Sequence, residues 1–228
     1  MRSNSSLPPA DVPDATVPGA AASAPRRRRK EARPGELTAA ALELFVEKGF
    51  AATRLEDVAA RAGVSKGTLY LYFDSKESLF RAVIEEGMVA SLSAAEQLLS
   101  EYQGPADELL RQLLFGWWEQ IGGTRLAGIP KLMVAEANNF PAIAQYYHDA
   151  VIRRGRGLVR SIIERGIAQG EFRVIDIDVT VDVIIAPLLM LVIWRHSFCH
   201  CGHTIDPQSY LSTHLELLLQ GLTLPPEK

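Results

Sequence analysis

Cysteine is almost missing from this 228-residue chain: Cys199 and Cys201 are the only two. With one residue between them they would make a strained pair, so no disulfide framework holds the fold, and a reducing cytoplasm suits the chain. Long apolar runs are missing too. The longest, 183–194, has twelve residues and contains Pro187, which reads as a buried helix and not as a membrane span. The N-terminal segment lacks an apolar centre of the signal-peptide kind, and no membrane association is expected. No strand-like alternation persists and no internal repeat occurs, which excludes a sheet or a solenoid. Gly-rich phosphate loops, nucleophile elbows and His-Glu-x-x-His are all absent, so the chain does not read as an enzyme and calls for no cofactor. The run Cys199-His200-Cys201-Gly202-His203 has metal-ligand residue types. Neighbours in so short a run rarely converge on one tetrahedral ion, so it reads as a loop with no metal. Metal bridging between subunits, or cysteine oxidation as a switch, is the competing reading.

Charge is scarce in net terms but unevenly placed. The total of −3 excludes a general polyanion binder. Residues 1–80 hold 12 Lys and Arg against 10 Asp and Glu, and residues 81–228 hold 12 against 17. Residues 1–25, rich in Ser, Pro and Ala, should be disordered. Arg26, Arg27, Arg28 and Arg29 follow, with Lys30 and Arg33 close behind. They are either a solvated tail or an arm that tracks phosphates or enters the minor groove. The tail with its basic arm spans 1–33, the arm itself 26–33.

The most informative stretch is Thr53 to Lys76, TRLEDVAARAGVSKGTLYLYFDSK. Thr53 and Glu56 have capping-box spacing. Leu55, Val58, Ala59 and Ala62 then form one helical face. Gly63 suits a left-handed exit, and Ser65 can cap a second helix with Leu69 inward. Tyr70 is either inward with an exposed hydroxyl or turned toward DNA. Helix, tight turn, helix is the unit whose second helix reads base edges in the major groove. Lys66, near that helix's start, can donate to guanine O6 and N7, and Gly67 permits close backbone approach. Thr53 and Arg54 are candidate phosphate contacts.

The run Val64-Ser65-Lys66-Gly67-Thr68-Leu69-Tyr70-Leu71-Tyr72-Phe73-Asp74-Ser75-Lys76-Glu77-Ser78-Leu79 resembles the signature of the TetR family of bacterial transcriptional regulators. Ala41-Leu42-Glu43-Leu44-Phe45, Gly49-Phe50 and Thr53 precede it in family order. The resemblance implies phosphate contacts at Thr68, Tyr72 and Lys76, and base or sugar contacts at Lys66 and Tyr70, with Ser65 beside them. It also implies an all-α subunit of about nine helices. Three helices form a DNA-binding head at 34–80, and six form a ligand-binding and dimerisation body at 81–222, before a tail at 223–228.

Body helices are expected at 106–121, 129–138, 141–169, 178–198 and 207–220, and the first head helix at 35–48. Trp117, Trp118, Met133, Phe140, Tyr146 and Tyr147 are either plain core or the walls of a pocket for an apolar or aromatic effector. Glu136, His148 and Arg125 are candidates to orient a polar group there. Ile185, Leu188, Leu189, Val192, Leu211, Leu215 and Leu218 exceed what one face of each helix needs. They are either internal core or the seam of a homodimer's four-helix bundle. The expected partner is double-stranded DNA carrying a near-palindromic operator, with half-sites spaced by about 34 Å or a multiple. The function expected is a repressor released by its ligand. A regulator without inducer and a non-specific architectural binder are the alternatives. On this reading, replacing Lys66 changes which sequence is preferred, whereas replacing Tyr72 or Lys76 weakens binding to all sequences. Selection from random DNA by each variant checks this, and an unchanged preference for Lys66→Ala would remove Lys66 from base reading.

Overall fold

The structure, a computed structural model, describes residues 26–198, 202 and 205–224, with side chains from Pro34 onward. The tail 1–25, Cys199, His200, Cys201, His203 and residues 225–228 lie outside the described residues, as do the side chains of Arg26, Arg27, Arg28 and Arg29. The chain divides into units 1–32 and 33–228; of the first, only helical backbone over 26–32 is described.

The α-helical segments are α1 (Arg26–Lys48), α2 (Leu55–Arg61), α3 (Lys66–Tyr70), α4 (Lys76–Ile84), α5 (Ala90–Glu101), α6 (Ala106–Trp117), α7 (Gly128–Glu136), α8 (Pro141–Tyr147), α9 (Arg153–Ala168), α10 (Ile177–Ser197) and α11 (Pro207–Leu222). A π-helical turn, Glu85–Val89, joins α4 to α5, and another, His148–Ile152, joins α8 to α9. A third, Trp118–Gly122, extends α6, and a 3₁₀ turn, Arg125–Ala127, leads into α7. Counted as continuous rods, nine helices lie among the described residues, three in the head and six beyond it. The all-α class stands; the only β character among the described residues is an isolated bridge between Phe172 and Thr223.

Local chemistry explains the boundaries. Gly49 at φ +86° ends α1, and Gly170 at φ +74° follows α9. Asp176 and Asp206 cap α10 and α11 by accepting from Val179 N and Ser209 N. One boundary differs from expectation. Helix α1 begins at Arg26, not near Gly35, and runs through Pro34. Pro34-Gly35 looks like a break in sequence, but the preceding Arg, Lys, Glu and Ala are good helix formers and carry the helix up to it.

Two apolar clusters fill the 33–228 unit. The first runs from Leu37 and Phe45 in α1, through Leu69 and Phe80, to Met88, Met133, Tyr147 and Leu158. The head therefore has no core of its own: its core continues across residues 80–81 into the body. At its centre Phe45, Phe50 and Phe80 lie 5.2–5.4 Å apart, and Phe140 meets Phe50 edge-on at 4.7 Å. The second cluster joins α6, α9, α10 and α11 through Leu110, Ile163, Ile184 and Leu211.

Because Phe80 is fully buried in the shared core, Phe80→Ala should destabilise the fold by about 3–5 kcal/mol in urea unfolding. Tryptophan fluorescence, which reports only the body residues Trp117, Trp118 and Trp194, should follow the same single transition as helical circular dichroism. A separate early transition seen by dichroism alone would show an independently melting head.

Candidate nucleic-acid interface and effector cavity

The head presents α3 through a short, fully bonded turn. Val64 N donates to Ala59 O at 2.9 Å and Gly63 N to Ala60 O at 3.1 Å, the paired bonds of a helix end with its glycine left-handed at φ +67°. Ser65 caps α3, accepting from Thr68 N at 3.1 Å, and its hydroxyl also bonds that of Thr68 at 2.9 Å. Leu69 is fully buried and anchors the helix. Arg54, Ser65, Lys66, Gly67 and Tyr70 are exposed together, and a Cβ at Gly67 would meet nothing closer than 3.8 Å. Tyr70 is thus turned outward, 45% exposed, with the Lys66 ammonium 5.7 Å from its ring centre. Lys66 is paired with Glu56 of α2, which raises the lysine's pKa and lowers the glutamate's. Sequence reasoning missed this partner. It also missed Leu71, which is 79% exposed at the end of α3, where an apolar side chain can meet a thymine methyl.

One expected phosphate contact, Thr53, is corrected, and another, Lys76, has partners within the protein. Thr53 is 1% exposed, and its hydroxyl donates to Gly49 O at 2.7 Å and Leu44 O at 3.2 Å. It closes the end of α1 and does not cap α2, whose N-cap is Arg54 with no side-chain bond. The capping box lies instead at Ser75 and Ser78. Lys76 is turned inward over the Phe50 ring at 4.6 Å and donates to Phe50 O at 2.6 Å and Ala51 O at 3.0 Å. Burial pushes its pKa down. Two of its three protons are committed to holding the α1–α2 loop, whose carbonyls have no helical partner. Tyr72 is half-buried against the head core, and Thr68 is half-exposed.

In the body, a cavity of about 300 Å³ opens between α6, α9 and α10, with Met88, Leu92 and Pro130 also in its lining. Of the six expected wall residues it is lined by Trp117 and Tyr147. Burial pushes the Tyr147 phenol's pKa up. The other four are placed elsewhere. Met133 is buried core, and Phe140 packs on Phe50. Tyr146 donates to Glu85 under Arg81, and Trp118 lies beneath Arg195. Arg125 pairs with Glu43 of α1, Glu136 accepts from Ala51 N at 3.5 Å, and His148 pairs with Asp149, so none of the three faces the cavity. All three π turns reach it, through Met88, Ile121, and Val151 with Ile152. Such turns recur at functional sites because they widen a helix locally.

The proposed dimer seam also changes. Val192, Leu211 and Leu215 are at most 1% exposed and Leu188 is 5% exposed, so all four are internal core. Ile185 and Leu218 are half-buried, Leu189 is exposed as a seam residue would be, and Ile185, Leu188 and Leu189 line the cavity. The outward stripe of α10 is Val179, Val183, Ala186 and Met190, with Ile193 half-exposed in line with it and Leu217 exposed on α11. Helix α10 is also the one helix among the described residues long and apolar enough to cross a membrane, a longer element than the apolar run in sequence suggested. Its buried side closes the second core; the outer stripe accounts for the rest of its apolar character.

Comparison with known proteins decides the family. Residues 37–83 match the model of bacterial regulatory proteins of the tetR family, and residues 102–198 match a tetracyclin repressor-like C-terminal domain. The chain belongs to the TetR family. Head matches are strong but short: the Bacillus subtilis (strain 168) HTH-type regulator YfiR is 42% identical over 62 residues, 27% of this TetR-family chain and 30% of YfiR. The first curated relatives are matched over 27–33% of their own length. The HTH-type repressor KstR2 of Rhodococcus jostii (strain RHA1) is 26% identical over 86% of this chain and 94% of its own. Among solved structures, FadR from Bacillus subtilis in complex with stearoyl-CoA has a TM-score of 0.70 at 23% identity, covering 82% of this chain and 98% of FadR. That likeness shows a shared fold.

Freeing Lys66 tests the geometry of the head. Glu56→Gln removes the carboxylate that holds it, so a base-reading Lys66 should bind its preferred sequence more tightly, with a smaller gain on unrelated duplex. An equal gain on every sequence would mean that Lys66 does not read a base when released.

Proposed function

We propose that this chain is a homodimeric, sequence-specific repressor that leaves its operator when a small apolar ligand fills the body cavity. The observation that carries this reading is that the cavity's walls are also the head's supports. Met88 lies in the π turn whose Glu86 accepts from Thr38 of α1. Pro130 lies in α7, where a Cβ on Gly128 would sit 2.5 Å from Val46 of α1. Just past α7, Phe140 packs on Phe50. A ligand that prefers one arrangement of these walls shifts the balance between head positions by the ratio of its two affinities. KstR2, matched over most of its length, is a repressor, which supports repression; FadR was solved with stearoyl-CoA, which supports an effector with a long apolar tail. A regulator without an inducer has no use for this space.

On this reading Arg54, Ser65, Lys66, Gly67, Thr68 and Tyr70 face the DNA, and the stripe Val179, Val183, Ala186, Met190 and Ile193 meets its copy across a two-fold axis. Incubating the protein with fragmented genomic DNA and sequencing what it retains should return a two-fold symmetric site beside a few promoters. Retention without a shared site would overturn the repressor reading in favour of non-specific binding. With that site in hand, Leu188→Trp, which fills the cavity, should bind the operator yet lose release by any effector that acts on the parent protein.

A further inference from the structure

The cavity is not closed by apolar side chains alone. Arg156 of α9 and Asp182 of α10 stand at its rim as an ion pair. Arg156 also lines an adjoining depression of about 310 Å³, together with His148, Arg153, Arg160 and Asp178. Positions 153, 156 and 160 are three and four apart, so three guanidiniums share one face of α9. Apolar cavity and cationic groove therefore meet at a single residue. The arginines are answered by carboxylates: Asp182 on Arg156, Asp178 and Glu164 on Arg160, and Asp149 on Arg153 at 4.0 Å. The Asp178 and Asp182 side chains are 72% and 63% exposed, and exposed pairs of this kind hold each other weakly. Each guanidinium has five N–H donors in a fork that matches phosphate or carboxylate. An anion delivered by a tail already buried in the cavity has the advantage of effective concentration over the two aspartates. A cationic head would have to settle beside Arg156, and a neutral head would leave both ion pairs as they are.

We infer that the effector is an amphiphile, with its apolar tail in the cavity and an anionic head, phosphate or carboxylate, on Arg153, Arg156 and Arg160, displacing Asp178 and Asp182. This rests on the reading of the cavity as the effector site and adds the chemistry of its ligand. It also gives the ligand a hold on α10, because the two ion pairs it replaces are those that lace α9 to α10.

The test uses the full chain and four probes with one tail: dodecyl phosphate, dodecanoate, 1-dodecanol and dodecylamine, each below its micelle-forming concentration. Trp117 lines the cavity, so tryptophan fluorescence reports occupancy. At least one anion should bind about tenfold more tightly than dodecanol, the scale of one charge-assisted contact. The better of the two anions names the head group. Replacing Arg156→Gln together with Arg160→Gln should shrink that preference to under about threefold while dodecanol still binds, tail burial being unaffected. In the unmodified protein the preference should fall as salt rises, which tests the same contact without a variant. Equal binding of dodecanol and both anions, or a preference for dodecylamine, overturns the head-group inference and leaves the cavity reading standing. No response to any probe, with operator binding also unmoved, overturns both.

Discussion

The packing of Phe50 is the contact on which the rest of the molecule depends. It stacks on Phe45, meets Phe80 edge-on, receives Phe140 from the start of α8, and has the Lys76 ammonium over its face. Aromatic pairs of this geometry add about 0.5–1.5 kcal/mol each beyond the area they bury. Helices α2 and α3 have seven and five residues, far below the length at which a helix is stable alone. Their direction is borrowed from α1 and α4, whose own separation Phe50 sets. The angle at which α3 meets a duplex is therefore decided in a core that belongs as much to the body as to the head.

Around this centre the polar contacts lock the joint without driving it. Thr53 satisfies two carbonyls at the end of α1, Lys76 satisfies two more in the next loop, and Glu136 reaches Ala51 N from α7. The Arg125–Glu43 and Lys48–Asp57 pairs are exposed and contribute little individually. What links α7 to α1 most firmly is shape: Gly128 lets Val46 so close that a methyl group would not fit. The room this glycine leaves is taken by α1.

The head was legible in sequence because its signals are local. Gly63, Ser65 and the spacing of Val58, Ala59 and Leu69 each act within one turn of chain, and the structure uses them as read. Thr53 was misread, and the partners of Lys76 were missed, for the opposite reason: their bonds depend on carbonyls that the fold brings near, and a long or rotatable side chain does not announce which way it points. The body helices were legible to within a residue or two, but their faces were not. An apolar stripe against a neighbouring helix, against empty space or against a second subunit has the same composition. Val192, Leu211 and Leu215 therefore passed for a subunit seam, while Val179, Val183 and Met190 went unnoticed. Trp117 and Tyr147 were found because large rings often border cavities, but Phe140 and Tyr146 are equally large and serve elsewhere.

The π turns left no trace in composition, yet all three border the cavity. A π turn is an ordinary helix that has absorbed one additional residue, with the helix on either side keeping its face toward its neighbours. Removing one residue at Glu85–Val89, Trp118–Gly122 or His148–Ile152 would return that rod to regular winding and move only the wall beside it. In lineage terms, the chamber sits where the gain or loss of a single codon changes a wall and not the register of the packed helices on either side, a route to a different chamber size that leaves the head's own sequence untouched.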